Sequence, residues 1–106
     1  KRWMAFGTRL QGTIHVDKGC RDALLINGSS ILPVGILSAE GQFEEGDTIS
    51  IVHDGEEIAR GIVNFNLSDL LQIKGRKSQD IPTILGVRDT YHVVVHRDNL
   101  VVLRQE

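Results

Sequence analysis

The sequence contains few cysteine, proline or aromatic residues, and each shortage narrows the class of protein. A single cysteine, Cys20, excludes an internal disulfide and fits a reducing compartment. Aromatic residues make up 5% of the 106 residues, too few for a platform on which nucleic-acid bases stack. Two prolines against 11 glycines favour many short elements joined by tight turns.

Charge and hydrophobic runs narrow the function further. The formal net charge of −2 argues against strong non-specific nucleic-acid binding, although a local basic patch stays open. No apolar run approaches the roughly 20 residues that span a bilayer, and no signal segment follows the basic start. We therefore expect a soluble, cytoplasmic chain with no membrane partner. Lys1 is not an initiator residue, so we also expect a fragment of a longer protein.

Alternation of apolar and polar residues predicts most of the strands. Gly12–Val16 and Thr48–His53 alternate with a period of two, which is typical of strands. Asp54-Gly55 predicts a two-residue hairpin turn, and Ile58–Phe65 is the expected returning strand.

Three further apolar segments are predicted strands. Ile31–Leu37 contains Pro33 and Gly35, which favours an edge or bulged strand over a helix. Val93–Val95 and Leu100–Leu103 surround the polar turn at residues 96–99.

Capping residues predict short helices between the strands. Asp17 is a good N-cap for a helix over Lys18–Ile26, and Gly28 is expected to end it. Asn66 begins a second helix that Gly75 ends, and a third short helix follows Ser78. The sum is a mainly β fold with short helices (α+β), a small barrel of about six strands.

No segment of the sequence predicts an active site. His96-Arg97-Asp98 matches the start of a protein-kinase catalytic loop, but the position for its metal-binding Asn holds Leu103, so a polar turn is preferred. In a strand, His92 and His96 would lie about 13 Å apart, too far to chelate one metal ion. Cys20 is interpreted as a small core residue. No phosphate-binding glycine loop is present.

Basic residues form two clusters that could contact phosphates. Lys18 and Arg21 lie on the first predicted helix, while Lys74, Arg76 and Lys77 flank Gly75. Glycine would let a nucleic-acid backbone approach closely. Basic residues near helix ends also complement the helix dipole, and we prefer that ordinary interpretation.

Several short segments, taken in order, resemble the C-terminal PUA module of bacterial glutamate 5-kinases. The resemblance covers about Arg2 to Leu103 and departs at Ala39 for Val, Cys20 for Ala and Phe65 for Tyr. The matching segments are Gly12–Cys20 (GTIHVDKGC), Ser30–Ile36 (SILPVGI), Ala39–Asp47 (AEGQFEEGD), Ile58–Phe65 (IARGIVNF), Gly75–Ser78 (GRKS), Ile84–Gly86 (ILG) and Val95–Leu100 (VHRDNL).

The resemblance implies a domain organisation and a parent activity. Residues 1–11 would be a linker from an absent upstream kinase domain, and residues 12–106 a PUA-like pseudo-barrel with a family-specific C-terminal extension. The parent enzyme would phosphorylate the γ-carboxylate of L-glutamate with ATP in proline biosynthesis. ATP and magnesium would bind the kinase domain, so this fragment itself is expected to hold no catalytic residue, cofactor or metal.

PUA modules elsewhere bind RNA through the first helix, the glycine-containing loop after it and the next strand. The resemblance therefore adds loop residues to the two basic clusters as RNA-binding candidates. The full candidate set is Lys18, Arg21, Gly28, Ser29, Ser30, Lys74, Arg76 and Lys77.

Three hypotheses follow for the role of this chain. It is a structural or regulatory accessory of its own kinase domain, an RNA-binding module of the kinase or of an RNA-modifying enzyme, or a protein-interaction module. The RNA hypothesis requires the basic side chains to converge on one face. The interaction hypothesis predicts an exposed apolar patch near Trp3, Met4 and Phe6.

Overall fold

The computed structural model describes residues 9–103. The predicted patch at Trp3, Met4 and Phe6 lies outside the described residues. Among those described, no helix is long and apolar enough to cross a membrane.

Within residues 9–103, five strands form one mixed sheet in the order β2-β1-β3-β4-β5. The strands are β1 (Gly12–Val16), β2 (Ile36–Gly41), β3 (Thr48–His53), β4 (Glu56–Ile62) and β5 (Leu100–Val102). β1 runs parallel to β3, and the other neighbouring pairs are antiparallel. The mainly β class with short helices is confirmed.

The sheet has two opposite ends, which are named below by the residues that pair at each. At the entry end, Gly12 pairs with Gly41 and with Ile49, and Thr48 pairs with Ile62. At the far end, Val16 pairs with Ile36, and His53 pairs with Glu56 across the Asp54-Gly55 turn. Both turn residues have positive φ, 51° and 80°. This is the conformation that a two-residue turn of matching twist requires and that Asp-Gly tolerates.

Three α-helices of the described chain lie between the strands, and side chains from the predicted positions cap the first two. They are α1 (Lys18–Asn27), α2 (Leu67–Ile73) and α3 (Ile81–Leu85). An Asp17 carboxylate oxygen accepts from the backbone N–H of Cys20 at 2.8 Å, and Asn66 Oδ1 accepts from that of Asp69 at 2.7 Å. Gly28 ends α1 in the left-handed conformation.

Two predicted strands are wrong. Ile31–Leu37 contains a 3₁₀ turn at Pro33–Gly35, and only Ile36 onward enters β2. Pro33 lacks an N–H for a sheet and has a fixed φ that suits the start of a helical turn. Val93–Val95 makes one isolated bridge, between Val95 and Ile31, and a 3₁₀ turn at Arg97–Asn99 precedes β5.

The core lies between the sheet and the helices. β3 is the central strand, paired along one edge with β1 and along the other with β4, and it buries Thr48 and Ser50 as well as Ile49 and Ile51. Cys20 packs against this core, as predicted.

Candidate nucleic-acid interface

The candidate RNA-binding residues border one small structural unit at the far end of the sheet, the 3₁₀ turn Pro33–Gly35. On one side, the backbone N–H of Asp17, just before α1, donates to the carbonyl of Gly35 at 2.9 Å. On the other side, the N–H of Gly75, just after α2, donates to the carbonyl of Pro33 at 2.7 Å. The two basic clusters therefore adjoin opposite ends of the same turn.

An open cleft of about 300 Å³ is lined by residues of α1, of the loop after it and of this turn. Its lining is mainly apolar and includes Cys20, Ala23, Ser30, Leu32 and Val34. The side chains of Leu32 and Val34 are 44% and 54% exposed. Leu32 and Val34 thus form an apolar ridge between the two basic clusters. A surface that bound only phosphates would be expected to carry polar groups there instead.

The cations of α1 are already paired. Lys18 Nζ lies 3.2 Å and Arg21 Nη1 lies 2.8 Å from the carboxylate of Asp22. Hydrogen bonds from Lys18, and more weakly from Arg21, lower the pKa of Asp22, so that carboxylate stays charged at neutral pH. This part of the surface therefore carries one net positive charge from three ionised groups.

The cations after α2 are differently placed. Lys74, Arg76 and Lys77 are exposed, and none forms a salt bridge with any residue in the described range 9–103. Gly75 between them has a φ of 74°, and an added β-carbon would meet no atom within 4 Å. The backbone at Gly75 is therefore sterically open.

The structure adds one cation that sequence reasoning missed. The backbone N–H of Arg97 donates to Ser30 Oγ at 2.8 Å, which ties the 3₁₀ turn Arg97–Asn99 to the loop after α1. Gly28 and Arg97 line a second cleft of about 360 Å³ beside β5. Ser30 and Arg97 are 67 positions apart in the sequence, so no local pattern could reveal the contact.

No arrangement for catalysis was found in the described part of the chain. Burial, and secondarily the carboxylate of Asp17, raises the pKa of the Cys20 thiol to about 11, so the thiol stays protonated at neutral pH. No group of three His, Cys, Asp or Glu residues within 9–103 could hold a metal ion. His53 Nδ1 lies 3.0 Å from the carbonyl of Val16 and joins two strands.

Curated relatives match nearly the whole chain but only part of themselves. "Glutamate 5-kinase" of Dictyoglomus thermophilum is 48% identical over 106 residues, which cover 99% of this chain and 28% of the relative. The protein of the same name from Moorella thermoacetica is 47% identical over 104 residues, which cover 97% of this chain and 27% of the relative. The chain thus spans less than a third of the length of these relatives.

Solved structures show the same fold at lower sequence identity. A PUA domain from Aeropyrum pernix K1 is 24% identical, with a TM-score of 0.57, and covers 83% of this chain and 44% of its own. A conserved PUA domain protein from Thermoplasma acidophilum is 24% identical, with a TM-score of 0.53, and the match covers 79% of this chain and 47% of that protein.

The predicted resemblance is confirmed at the level of the domain. The family model described as "PUA domain" matches residues 12–85, well over half of the chain. This chain belongs to the PUA domain family.

Proposed function

We propose that this chain is the C-terminal, non-catalytic PUA domain of a glutamate 5-kinase and serves that enzyme as a structural or regulatory accessory. The observation that carries the proposal is the 48% identity along 99% of the chain to 28% of a glutamate 5-kinase. Burial raises the pKa of the Cys20 thiol to about 11, so the thiol stays protonated at neutral pH and is a poor nucleophile there.

In this proposal the chemistry takes place in a preceding kinase domain, joined through a linker at residues 1–11. That domain would bind ATP and magnesium and phosphorylate the γ-carboxylate of L-glutamate, in the cytoplasm, as the first step of proline synthesis. Residues 12–106 would form the PUA domain with its C-terminal extension, and its constant partner would be the kinase domain.

The test is an activity assay on the full-length protein and on a version that ends before residue 9. Glutamate-dependent ATP consumption should appear in both proteins and be absent from the isolated domain. The acyl phosphate product is trapped with hydroxylamine and detected as the hydroxamate. An accessory role predicts that truncation changes thermal stability or inhibition by a pathway product more than kcat. A full-length protein without glutamate kinase activity would overturn the proposal.

RNA binding is a second candidate, favoured by the exposed cations Lys74, Arg76 and Lys77, which form no salt bridge within residues 9–103. With Lys18, Arg21 and the loop residues Gly28, Ser29 and Ser30, these would form the contact surface. Neutralising phosphates with exposed cations makes binding weaken steeply with salt. The curated relatives named above are kinases, so a role in an RNA-modifying enzyme has less support.

A salt series with a structured RNA separates this candidate from the first. Arg76→Ala should weaken binding and reduce the slope of log K against log salt by about 1. Arg88→Ala is the matched control, because Arg88 is also an exposed arginine but lies outside the candidate surface. Equal effects of the two substitutions, or no binding at low salt, would exclude a specific RNA surface.

A further inference from the structure

A second surface, at the entry end of the sheet, carries a cleft of about 440 Å³ that the RNA hypothesis does not use. The entry cleft lies between the loop after β2 and the loop after α3, with the start of α2 at its base. Its lining includes Glu44, Glu45, Asp69, Val87, Asp89 and Tyr91.

Fixed apolar side chains form part of the entry cleft. Val87 and Tyr91 are 44% and 48% exposed, although both are large hydrophobic residues. The ring of Tyr91 meets the largely buried Phe65 edge to face, with centroids 6.1 Å apart. Its hydroxyl donates to a carboxylate oxygen of Glu45 at 2.7 Å, which joins the two walls. The Tyr91 ring is therefore held in place before anything binds.

One wall of the entry cleft lies outside the segment that the PUA family model matches. The family match ends at residue 85, and the wall that contains Val87, Asp89 and Tyr91 follows it. The cleft is better explained by something particular to the longer proteins that the chain resembles.

The chain enters the domain at this same end. The backbone N–H of Gln11 donates to the carbonyl of Thr48 at 2.9 Å, and the N–H of Gln42 donates to the carbonyl of Gln11 at 3.1 Å. Gln42 is two residues from Glu44, at the rim of the cleft. A domain connected through residue 9 would thus emerge beside the cleft and away from the basic far end.

We propose that the entry cleft binds the preceding domain of the same polypeptide, through a surface element that carries lysine or arginine. This inference rests on the proposed function, since it takes this chain to be the C-terminal part of a kinase. The cleft lining contains four carboxylates and no lysine or arginine, which selects a cationic partner. The aliphatic stem of such a side chain would cover Val87 and Tyr91 while its charge meets the carboxylates.

The test compares hydrogen exchange in the intact full-length protein with exchange in the domain released from it at a protease site placed upstream of residue 9. Docking predicts that the amides of residues 87–91 exchange at least about tenfold more slowly in the intact protein. The buried amides of β3 serve as the internal standard, because their protection in both samples shows that the released domain is folded.

Two matched substitutions locate the effect. Glu44→Lys in the intact protein should restore the fast exchange of residues 87–91, since it places a like charge against the partner. Glu56→Lys is the control: Glu56 is an equally exposed glutamate on the sheet, but at the far end. It should leave the exchange of residues 87–91 unchanged.

Each other outcome overturns the docking proposal. Equal exchange in intact and released protein means that no domain covers the cleft. Protection that persists in the released domain and grows with its concentration means that a second copy occupies it instead. A glutamate kinase assay on the same intact sample separates this failure from failure of the proposed function. The presence of kinase activity tests what the parent enzyme is, whereas hydrogen exchange tests which surface of this domain is covered.

Discussion

Gly35 is the position at which one added carbon atom should separate the first helix from the turn that it contacts. A β-carbon built at Gly35 would lie 2.6 Å from Cβ and 3.2 Å from Sγ of Cys20. Carbon atoms in good contact lie about 3.5–4.0 Å apart, so the shortfall is about 1 Å. The Cys20 Cβ is attached directly to the helix backbone and has no rotamer that moves it away.

The cost of Gly35→Ala follows from what must move. Relief requires α1 and the Pro33–Gly35 turn to separate, which stretches the 2.9 Å hydrogen bond from Asp17 N–H to the Gly35 carbonyl. Overpacking of this kind destabilises a domain by about 1–3 kcal/mol. We expect Gly35→Ala to lower the free energy of unfolding by that amount, measured by urea unfolding followed by circular dichroism at 222 nm.

The same substitution at Gly19 is the control and should have the opposite sign. Gly19 lies inside α1, and its added β-carbon would come no closer than 3.6 Å to Asp17 Oδ1, an ordinary contact. Alanine at such a site stabilises a protein by about 0.4–1 kcal/mol, because it restricts the unfolded chain.

A double-mutant cycle assigns the cost to the contact. Cys20→Gly removes the clashing Cβ and Sγ atoms. Gly35→Ala should therefore cost at least about 1 kcal/mol less unfolding free energy in the Cys20→Gly background than in the wild type, and this difference is the coupling free energy of the two residues. The reasoning is refuted if Gly35→Ala is as stable as the wild type, or if the penalty is unchanged in the Cys20→Gly background.

Two further predictions concern local contacts. Asn66→Ala should cost about 1 kcal/mol of unfolding free energy and Asn66→Asp almost nothing, since only alanine leaves the N–H of Asp69 without its cap; thermal unfolding of both variants checks this. Arg60 donates two hydrogen bonds of 3.0 and 3.1 Å to the carboxylate of Glu57. These bonds are the main cause that lowers the pKa of Glu57, and a hydrogen bond from Ser50 contributes less. The resulting stabilisation is complete above the ordinary pKa of glutamate and is lost as the pH falls through the lower folded value. Arg60→Ala should therefore cost about 0.2–1 kcal/mol more at pH 7 than in strong acid, and urea midpoints with an equal deficit at both pH values would contradict this.

Local patterns predicted the elements whose causes are local. The alternation of β1, the cap at Asp17 and the Asp54-Gly55 turn each depend on a few consecutive residues, and each occurs as predicted. The pairing of Ile31 with Val95 joins residues 64 positions apart, and no periodicity encodes it. The strands predicted there failed because an isolated bridge and the fixed φ of Pro33 replaced a continuous ladder.

The candidate sites were predictable to different degrees. Exposed cations at residues 74–77 could be recognised from sequence, and so could the carboxylate of Asp22 beside Lys18 and Arg21, a pairing at short spacing that was overlooked. The entry cleft could not be recognised, because Glu45 and Tyr91 come from loops 46 residues apart that meet only in the folded chain.

The segment after residue 85 is expected to be essential to the fold, although the family match ends there. It contributes β5 to the sheet and buries three side chains almost completely, those of Val94, Val95 and Leu100. Burial of three such side chains is worth about 5–9 kcal/mol. This is comparable with the whole stability of a small domain, so a chain that ends at Gly86 should be unfolded.

A matched pair of valines tests this reasoning without removing the segment. Val95 is fully buried, with Cγ1 close enough to Gly61 that an added β-carbon there would lie 2.6 Å away, whereas Val102 is 47% exposed. Val95→Ala should cost about 1.5–3 kcal/mol of unfolding free energy, from lost burial and the cavity left behind. Val102→Ala should change it by less than about 0.5 kcal/mol. Equal costs in urea unfolding would mean that the segment lies loosely on the sheet, and a folded chain ending at Gly86 would mean that the domain is complete without it.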